Sequence, residues 1–596
     1  MASNEGATIP LRYWVEGEEK RVVMAEARGD FVDVLFSFLT LPLGATIFHE
    51  SHDHNNQPLL IGCISNLYQS VKHLSPAVFL NAICKRMLLS PRNAFEASCQ
   101  RLKLNIHNTT LPTKYFMCSN KTDHPSSNKT DHPSSPVMMT TFEEATCSYC
   151  GKPMDKELEL LLESNEKPDA AKYDGVFVKG DAMFLIFDDL RVLRSTPSDS
   201  LQLLRKHRHK DFSNITEKIP RVGMQEIFNI LKQALISKSP LSDAFLENRE
   251  SKPSYSFSPN INTCPSHLKD YVEIKVMVSK SRNKVLFAEA GEDFVDFLVS
   301  FLTTPLGAIV NLMNGKLSLG SIDNLYESIK NLDPSWFIES SDESLLNPKV
   351  APQFGCKSNP LNVLEEGDPP KYWFGTPKKC NMESEKEKEK EMVSMKKDLL
   401  RDPPKEKEMK LSDPPKEKKH FDPPKEMKLF DPRSFAVDTS YKYGFMKRPC
   451  LFVVTDDLKL IPMTAASSFP YLQELENFKL DDVEQHIVKI RKRSHEALNL
   501  MRASLTCTES ALTQSLFYLL RKWKCQRWIP FWGVLPRKKK KHGKKKEKKE
   551  RASGKTSDMR NREKDKEVKK IEDGTENKPT LTTTQVPQET KIPNDV

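Results

Sequence analysis

The residue types in this chain best suited to chemistry are cysteines and nearby histidines. Cys147-Ser148-Tyr149-Cys150-Gly151 places two thiols three positions apart with a glycine behind them. A tight turn at that spacing aims both sulfurs to one side, as zinc knuckles do, and glycine frees the backbone to make the turn. Cys118, just after the apolar Tyr115-Phe116-Met117, offers a third sulfur. A closed tetrahedral site needs four ligands, so His124, His132 or Cys99 must complete it. The intervening loop carries Ser-Asn-Lys-Thr-Asp-His-Pro-Ser twice, at 119–126 and 127–134, which duplicates the histidine and marks a connection under little length constraint. The expected set is Cys118, Cys147, Cys150 and His124 around a structural Zn2+. The bland alternative is a partly degraded knuckle holding free thiols. A Cys-x-x-Cys can also be a redox pair, but no strand–CxxC–helix pattern of the thioredoxin kind surrounds this one.

Other candidate groups have simpler readings. His49, His52 and His54 lie close together in a polar stretch without a cysteine beside them, which reads as an exposed loop. Glu26, Asp30 and Asp33 recur as Glu289, Asp293 and Asp296. Clustered carboxylates can hold a divalent cation, but here they read as a strand-end charge, a helix N-cap and a first-turn acid. Asp188-Asp189 and Asp456-Asp457 read as hairpin turns, where aspartate bonds locally to the backbone. Tyr68 and Tyr326 read as packing residues.

The elements that must position these groups come in two sets. AEARGDFVDVLFSFLTLPLGA (25–45) returns as AEAGEDFVDFLVSFLTTPLGA (288–308), identical at 16 of 21 positions with a constant offset of 263. Each copy reads as the second strand of a hairpin, then a helix capped by Asp30 or Asp293 and stopped by Pro-Leu-Gly. GCISNLYQSVKHLSP (62–76) and GSIDNLYESIKNLDP (320–334) are matching amphipathic helices. The hairpins FLIFDDLRVL (184–193) and LFVVTDDLKLIP (451–462) also match, each followed by two short helices. The fold class is therefore α+β: two tandem homologous units of β-hairpins packed with short helices, plus a disordered insert and tail. The units span 11–250 and 271–520, with a Ser/Pro/Asn-rich linker at 251–270. The second unit has Cys356 and Cys380 but no Cys-x-x-Cys, so a metal site belongs to the first.

The second unit is interrupted at about 381–432 by a charged repeat with Asp-Pro-Pro at Asp402, Asp413 and Asp422, which is expected to be disordered. Residues 521–596 form an aromatic and basic segment and a polar tail. Of the net charge of +10, the run 537–551 supplies +9, eleven Lys/Arg less two Glu, so the body is close to neutral. Trp523, Trp528 and Trp532 beside basic residues can stack on single-stranded nucleic acid or sit at an anionic membrane surface. The polybasic run suits nuclear import or phosphate binding; a solvated tail is the bland reading. No apolar N-terminal leader and no apolar run long enough for a transmembrane helix is found. The expected compartment is cytoplasm or nucleus, where the twelve cysteines stay reduced.

The repeated block, the NLY helix, the C-x-x-C-G knuckle, the TDDLKLIP hairpin and LMRASLTCTESALT together resemble the plant proteins catalogued as domain of unknown function 674. The resemblance covers both units and implies this architecture and a plant origin, with no established activity. Family members tend to carry a further cysteine just after the one equivalent to Cys118; Ser119 and Asn120 stand there here, so a bound metal would need a histidine. No Walker loop, G-x-G-x-x-G, G-x-S-x-G or H-E-x-x-H occurs. The expected function is a non-enzymatic scaffold or protein-interaction module, its protein partner unknown, with a structural zinc. The alternative is a nuclear nucleic-acid-associated protein using its tail.

Overall fold

The computed structural model describes residues 6–521 apart from 18–19, 52–60, 107–113, 119–136, 144, 148–149, 163–174, 197–213, 247–270, 357–358, 367–370, 375–391, 397–424, 435–443, 464–479, 492–493 and 518. The chain divides into a compact unit, Met1–Trp528, and a second one, Ile529–Val596. The second unit, with Trp532 and the basic run 537–551, lies outside the described residues, as do Trp523 and Trp528. Among the described residues no helix is long and apolar enough to cross a membrane.

The fold is α+β. The N-terminal half contributes β1 (Ile9–Pro10), β2 (Arg12–Glu16), β3 (Arg21–Arg28), β4 (Tyr115–Met117), β5 (Val137–Thr140), β6 (Lys156–Leu162), β7 (Met183–Phe187), β8 (Val192–Arg194), β9 (Ile215–Lys218) and β10 (Arg221–Val222). Its helices are α1 (Gly29–Ser37), α2 (Leu43–Ser51), α3 (Ile64–His73), α4 (Ala82–Leu89), α5 (Glu96–Cys99), α6 (Met224–Ile236) and α7 (Pro240–Phe245). The C-terminal half contributes β11 (Tyr271–Ser279), β12 (Lys284–Gly291), β13 (Lys371–Phe374), β14 (Met392–Lys396), β15 (Lys425–Leu429), β16 (Leu451–Thr455), β17 (Leu460–Pro462) and β18 (Val483–Arg491). With these go α8 (Glu292–Val299), α9 (Leu306–Leu312), α10 (Ile322–Asn331), α11 (Ser341–Leu346), α12 (His495–Thr506) and α13 (Ala511–Ser515).

Two five-stranded sheets have the same order, β8-β7-β3-β2-β9 and β17-β16-β12-β11-β18. In each, the opening hairpin sits at the centre, with Tyr13 opposite Ala25 and Val276 opposite Ala288. The Asp-Asp hairpin joins one side, with Ala25 opposite Ile186 and Ala288 opposite Val454. The alternating apolar positions of these strands face the core, as period-2 patterning requires.

The helix that follows departs from expectation at both ends. Asp30 and Asp293 are not N-caps: Arg28 and Gly291 hold those positions in extended backbone, and the acids fall in the first turn. Asp30 Oδ1 accepts the Phe31 N–H at 2.9 Å and Oδ2 pairs with Lys103 at 3.2 Å, so it still meets the positive helix end. Pro-Leu-Gly is a corner, not a stop. A 3-10 turn, Phe38–Thr40, leads through Pro42 into α2, because proline at a helix start forfeits only an N–H that has no intrahelical partner. The two corners meet: Pro42 bridges Pro305, with Leu43 N donating to Thr304 O (3.2 Å) and Leu306 N to Leu41 O (3.0 Å). Pro42 and Pro305 are equivalent positions of the repeat, so a local twofold passes between them.

Around that twofold the halves exchange helices. α3, from the N-terminal half, packs on β17 and α8; α10, from the C-terminal half, packs on β8 and α1. Asn66 Nδ2 donates to Asp457 O (3.0 Å) and Asn324 Nδ2 to Asp189 O (2.8 Å). Leu460 N donates to Ser70 Oγ (3.1 Å) and Val192 N to Ser328 Oγ (2.9 Å). Gly62 (φ +45°) and Gly320 (φ +49°) permit the crossings: a Cβ on either would run into the backbone of Ser504–Leu505 or Ala234–Leu235 in the opposite half. One hydrophobic core runs through both halves.

A closed six-stranded barrel, β13-β14-β6-β4-β5-β15, completes the fold. β4 lies antiparallel between β5 and β6, and β13 antiparallel between β14 and β15. The two triplets close through parallel pairs, β14 with β6 and β15 with β5. The stretch 381–432, expected to be disordered throughout, thus contains two strands. Open ladder edges on β6 and β5 satisfy their backbone groups, which local composition cannot anticipate. The Asp-Pro-Pro residues at 402, 413 and 422 lie outside the described residues.

Candidate metal centre

The cysteines are delivered by the barrel. β4 ends at Met117 and hands on Cys118; the β5–β6 connection carries Cys147 and Cys150. Thr146 bridges Pro153, and Met154 N donates to Ala145 O (2.8 Å), which pinches the connection into a narrow loop. At its tip Cys147 N donates to Lys152 O (2.8 Å) and Gly151 N to Cys147 O (2.9 Å). Gly151 has φ +69°, a conformation that costs a side-chain-bearing residue roughly 1 kcal/mol or more.

This turn brings the three sulfurs together. The Sγ atoms of Cys118, Cys147 and Cys150 lie within 4.8 Å of one another, and Cys118 Sγ is 3.4 Å from Cys150 Sγ. Tetrahedral zinc with Zn–S near ~2.3 Å holds its sulfurs roughly 3.8 Å apart, so the spacing fits that ion. Cys118 and Cys147 are buried, and Cys150 is half-buried at the rim. Met138, Met154 and Phe430 complete a small apolar cluster distinct from the main core. Desolvation, the largest influence on the Cys150 thiol, raises its pKa. The Lys152 backbone N–H and the Cys118 and Cys147 thiols outweigh it, leaving the pKa below the ordinary value and favouring the thiolate a metal needs.

His124 and His132 lie outside the described residues. Cys99 does not join the cluster: it is buried in the main core at the end of α5, beside Asn93, and burial pushes its thiol up to about 12. Cys356 is buried against the Asp296 carbonyl (3.8 Å), and Cys380 lies outside the described residues, as do His52 and His54; His49 stands in α2. Among the described residues the three cysteines are the one group of three potential ligands that converges.

The repeated carboxylates have separate structural partners. Glu26 accepts the Ser195 hydroxyl (3.1 Å) and faces Arg12 (3.7 Å). Asp33 is buried, and its carboxylate accepts the N–H groups of Val176 (2.7 Å), Phe177 (2.9 Å) and Val178 (2.8 Å). Asp296 does the same with Phe445 (2.7 Å) and Met446 (2.9 Å), while its other oxygen faces Arg448 at 3.6 Å. Burial raises both acids to about 6 against these donors. Each thus pins a returning strap, 175–178 or 444–447, which in turn bonds the opposite half: Ile338 N to Phe177 O (2.9 Å) and Leu80 N to Phe445 O (2.9 Å). Sequence reasoning missed this role. The available signal was a shared Phe-x-Lys, at 177–179 and 445–447, just after a glycine in each strap, and a Cβ on Gly444 would overlap the Asp296 carboxylate.

Asp188 and Asp456 do sit at hairpin turns, but their carboxylates reach beyond them. Asp188 accepts the Ser242 N–H and hydroxyl, both at 2.8 Å. Asp456 accepts the Thr513 N–H (2.7 Å) and hydroxyl (2.8 Å). Tyr68 and Tyr326 are buried and donate to Leu89 O and Asn311 Oδ1, both at 3.2 Å.

No curated protein and no solved structure matches the chain. A family model does, described as Protein of unknown function (DUF674), over residues 5–493. Spanning most of the chain, that match places the protein in the DUF674 family.

Proposed function

We propose that the protein is a non-enzymatic scaffold for protein interaction, built from two tandem copies of one unit and held at its barrel by one structural zinc. The convergence of three sulfurs at a glycine-assisted turn carries the reading. Cys118, Cys147 and Cys150 supply three ligands and His124, six positions after Cys118 in sequence, the fourth. The binding of the repeated carboxylates by backbone amides supports the scaffold side of it, since those groups serve packing. Thiolate ligation suits a reducing compartment, cytoplasm or nucleus.

Metal analysis of the purified full chain tests this. About one zinc per chain is expected, lost in the Cys147→Ser/Cys150→Ser protein. A folded wild-type chain that takes up no zinc rejects it.

The charge concentration at 537–551 favours a second activity, nucleic-acid binding by the tail. It predicts affinity that falls steeply with salt and disappears when 521–596 is removed. Equal binding by the shortened chain rejects it.

A further inference from the structure

We infer that metal loading of the cysteine cluster docks strand β15 of the C-terminal half and so closes the barrel; this rests on the zinc reading above. Phe430 immediately follows β15 and is 1% exposed. Its ring belongs to the same small cluster as Cys118, Cys147, Met138 and Met154, with Cys150 packed alongside. The Phe430 N–H donates to Met139 O at 2.6 Å, and its carbonyl accepts from Gln353 Nε2. β15 itself pairs in parallel with β5, Met427 opposite Val137 and Leu429 opposite Met139, and β5 is the strand that leads into the knuckle. The element from the C-terminal half is therefore seated in the cluster that contains the ligands and on the strand that leads into the knuckle.

The seat is small. Among the described residues of this cluster Met138 and Met154 add buried apolar surface beside the thiols, and the cluster is separate from the main core. A tetrahedral ion cross-links the end of β4 to the β5–β6 turn and fixes the floor on which Phe430 lies. Without it the end of β4 and the β5–β6 turn lose that cross-link beneath the ring, and the contact surface loosens. β15 has a second attachment, Arg433, whose guanidinium is buried on Asp431 (2.9 Å) and donates to the carbonyls of Gly355 (2.8 Å) and Gln353 (2.6 Å). That attachment is within the C-terminal half. It keeps residues 431–434 in place when the metal is lost, so release is confined to β15 and Phe430.

Linkage makes the coupling reciprocal. If zinc favours docking by some factor, undocking weakens zinc by the same factor. The test is hydrogen exchange on the full chain, zinc-loaded and after chelation, read at 425–430 with β11 (Tyr271–Ser279) as control, alongside zinc affinity of Phe430→Ala. Removing zinc is expected to speed exchange at 425–430 at least tenfold and leave β11 unchanged. Phe430→Ala is expected to weaken zinc by a matching factor, and Phe430→Leu to restore most of it. A chain that binds one zinc but shows unchanged exchange at 425–430 on chelation overturns the coupling and leaves the zinc reading standing. Wild-type zinc affinity in Phe430→Ala overturns it too, as does exchange that rises equally in β11. A chain that takes up no zinc removes both.

Discussion

The β5–β6 connection and the β14–β15 connection occupy the same place in the barrel, each joining the two flanking strands of its triplet. In the N-terminal half that connection is a short pinched loop carrying Cys147 and Cys150. In the C-terminal half it spans 397–424 and is filled with Asp-Pro-Pro-Lys-Glu repeats. One position in the fold thus carries a cysteine knuckle in the N-terminal half and a charged sequence expansion in the C-terminal half. Sites on the exchanged core, where the halves bury each other, stayed paired almost residue for residue. A barrel connection whose ends are pinned by strands can change without disturbing the core; the crossings cannot.

The largest expected effect separates the two halves outright. Cys147→Ser/Cys150→Ser should abolish zinc uptake by the full chain, whereas Cys356→Ser or Cys380→Ser should leave it at about one per chain. His124→Ala should weaken zinc at least tenfold, measured by competition with a chromophoric chelator. Zinc uptake that survives the knuckle double substitution would erase the contrast.

Next come the straps. Asp33→Ala leaves three buried N–H groups without an acceptor and should cost about 3 kcal/mol or more in urea unfolding. Asp296→Ala leaves two, and Arg448 keeps its ion pair with Asp293 at 2.5 Å, so its cost should be smaller, about 2 kcal/mol. Equal or reversed costs would show that the donor count does not govern the straps. The crossing glycines should behave alike: Gly62→Ala and Gly320→Ala are each expected to cost about 3 kcal/mol, from positive φ and backbone overlap together.

Asn66→Ala and Asn324→Ala each remove one crossing hydrogen bond and should each cost about 1 kcal/mol, with a double substitution close to additive because the sites lie in separate junctions. The pH response is a separate test of the straps. The folded-state pKa values of Asp33 and Asp296, about 6, stand above the ordinary carboxylate value near ~3.9. Between those values the folded state holds protons the unfolded state has released. These two acids therefore add stability fully below about pH 4, and the addition is lost as pH rises through about 6. The wild-type stability curve minus that of Asp33→Asn/Asp296→Asn should fall across that window; a flat or rising difference would contradict the buried-acid account.

Much of the local structure was legible. Alternation in RVVMAEAR and KVLFAEA marks strands because a half-buried pleat imposes period 2. Cys-x-x-Cys-Gly marks a tight turn because few backbones other than glycine accept the conformation at Gly151. The cap at Asp30 was misplaced because a first-turn acid and an N-cap acid leave the same residue at a helix start. Cys99 was open as a ligand because nothing local says which thiol enters the main core.

By itself the sequence determined the repeat, the hairpins, the amphipathic helices and the knuckle turn, all set by interactions within a few residues. Tertiary structure alone decided which half each repeated helix packs on, since α3 and α10 carry nearly the same apolar face and fit either sheet. It also decided which strand closes the barrel. Lys-Glu-Met-Lys-Leu occurs at 407–411 as well as at 425–429. Only the second is followed by Phe430, buried in the cysteine cluster, and Arg433, paired with Asp431, which supply what Ser412 and Pro415 cannot. Identical local propensity leaves that choice open; surface contributed by residues hundreds of positions away makes it.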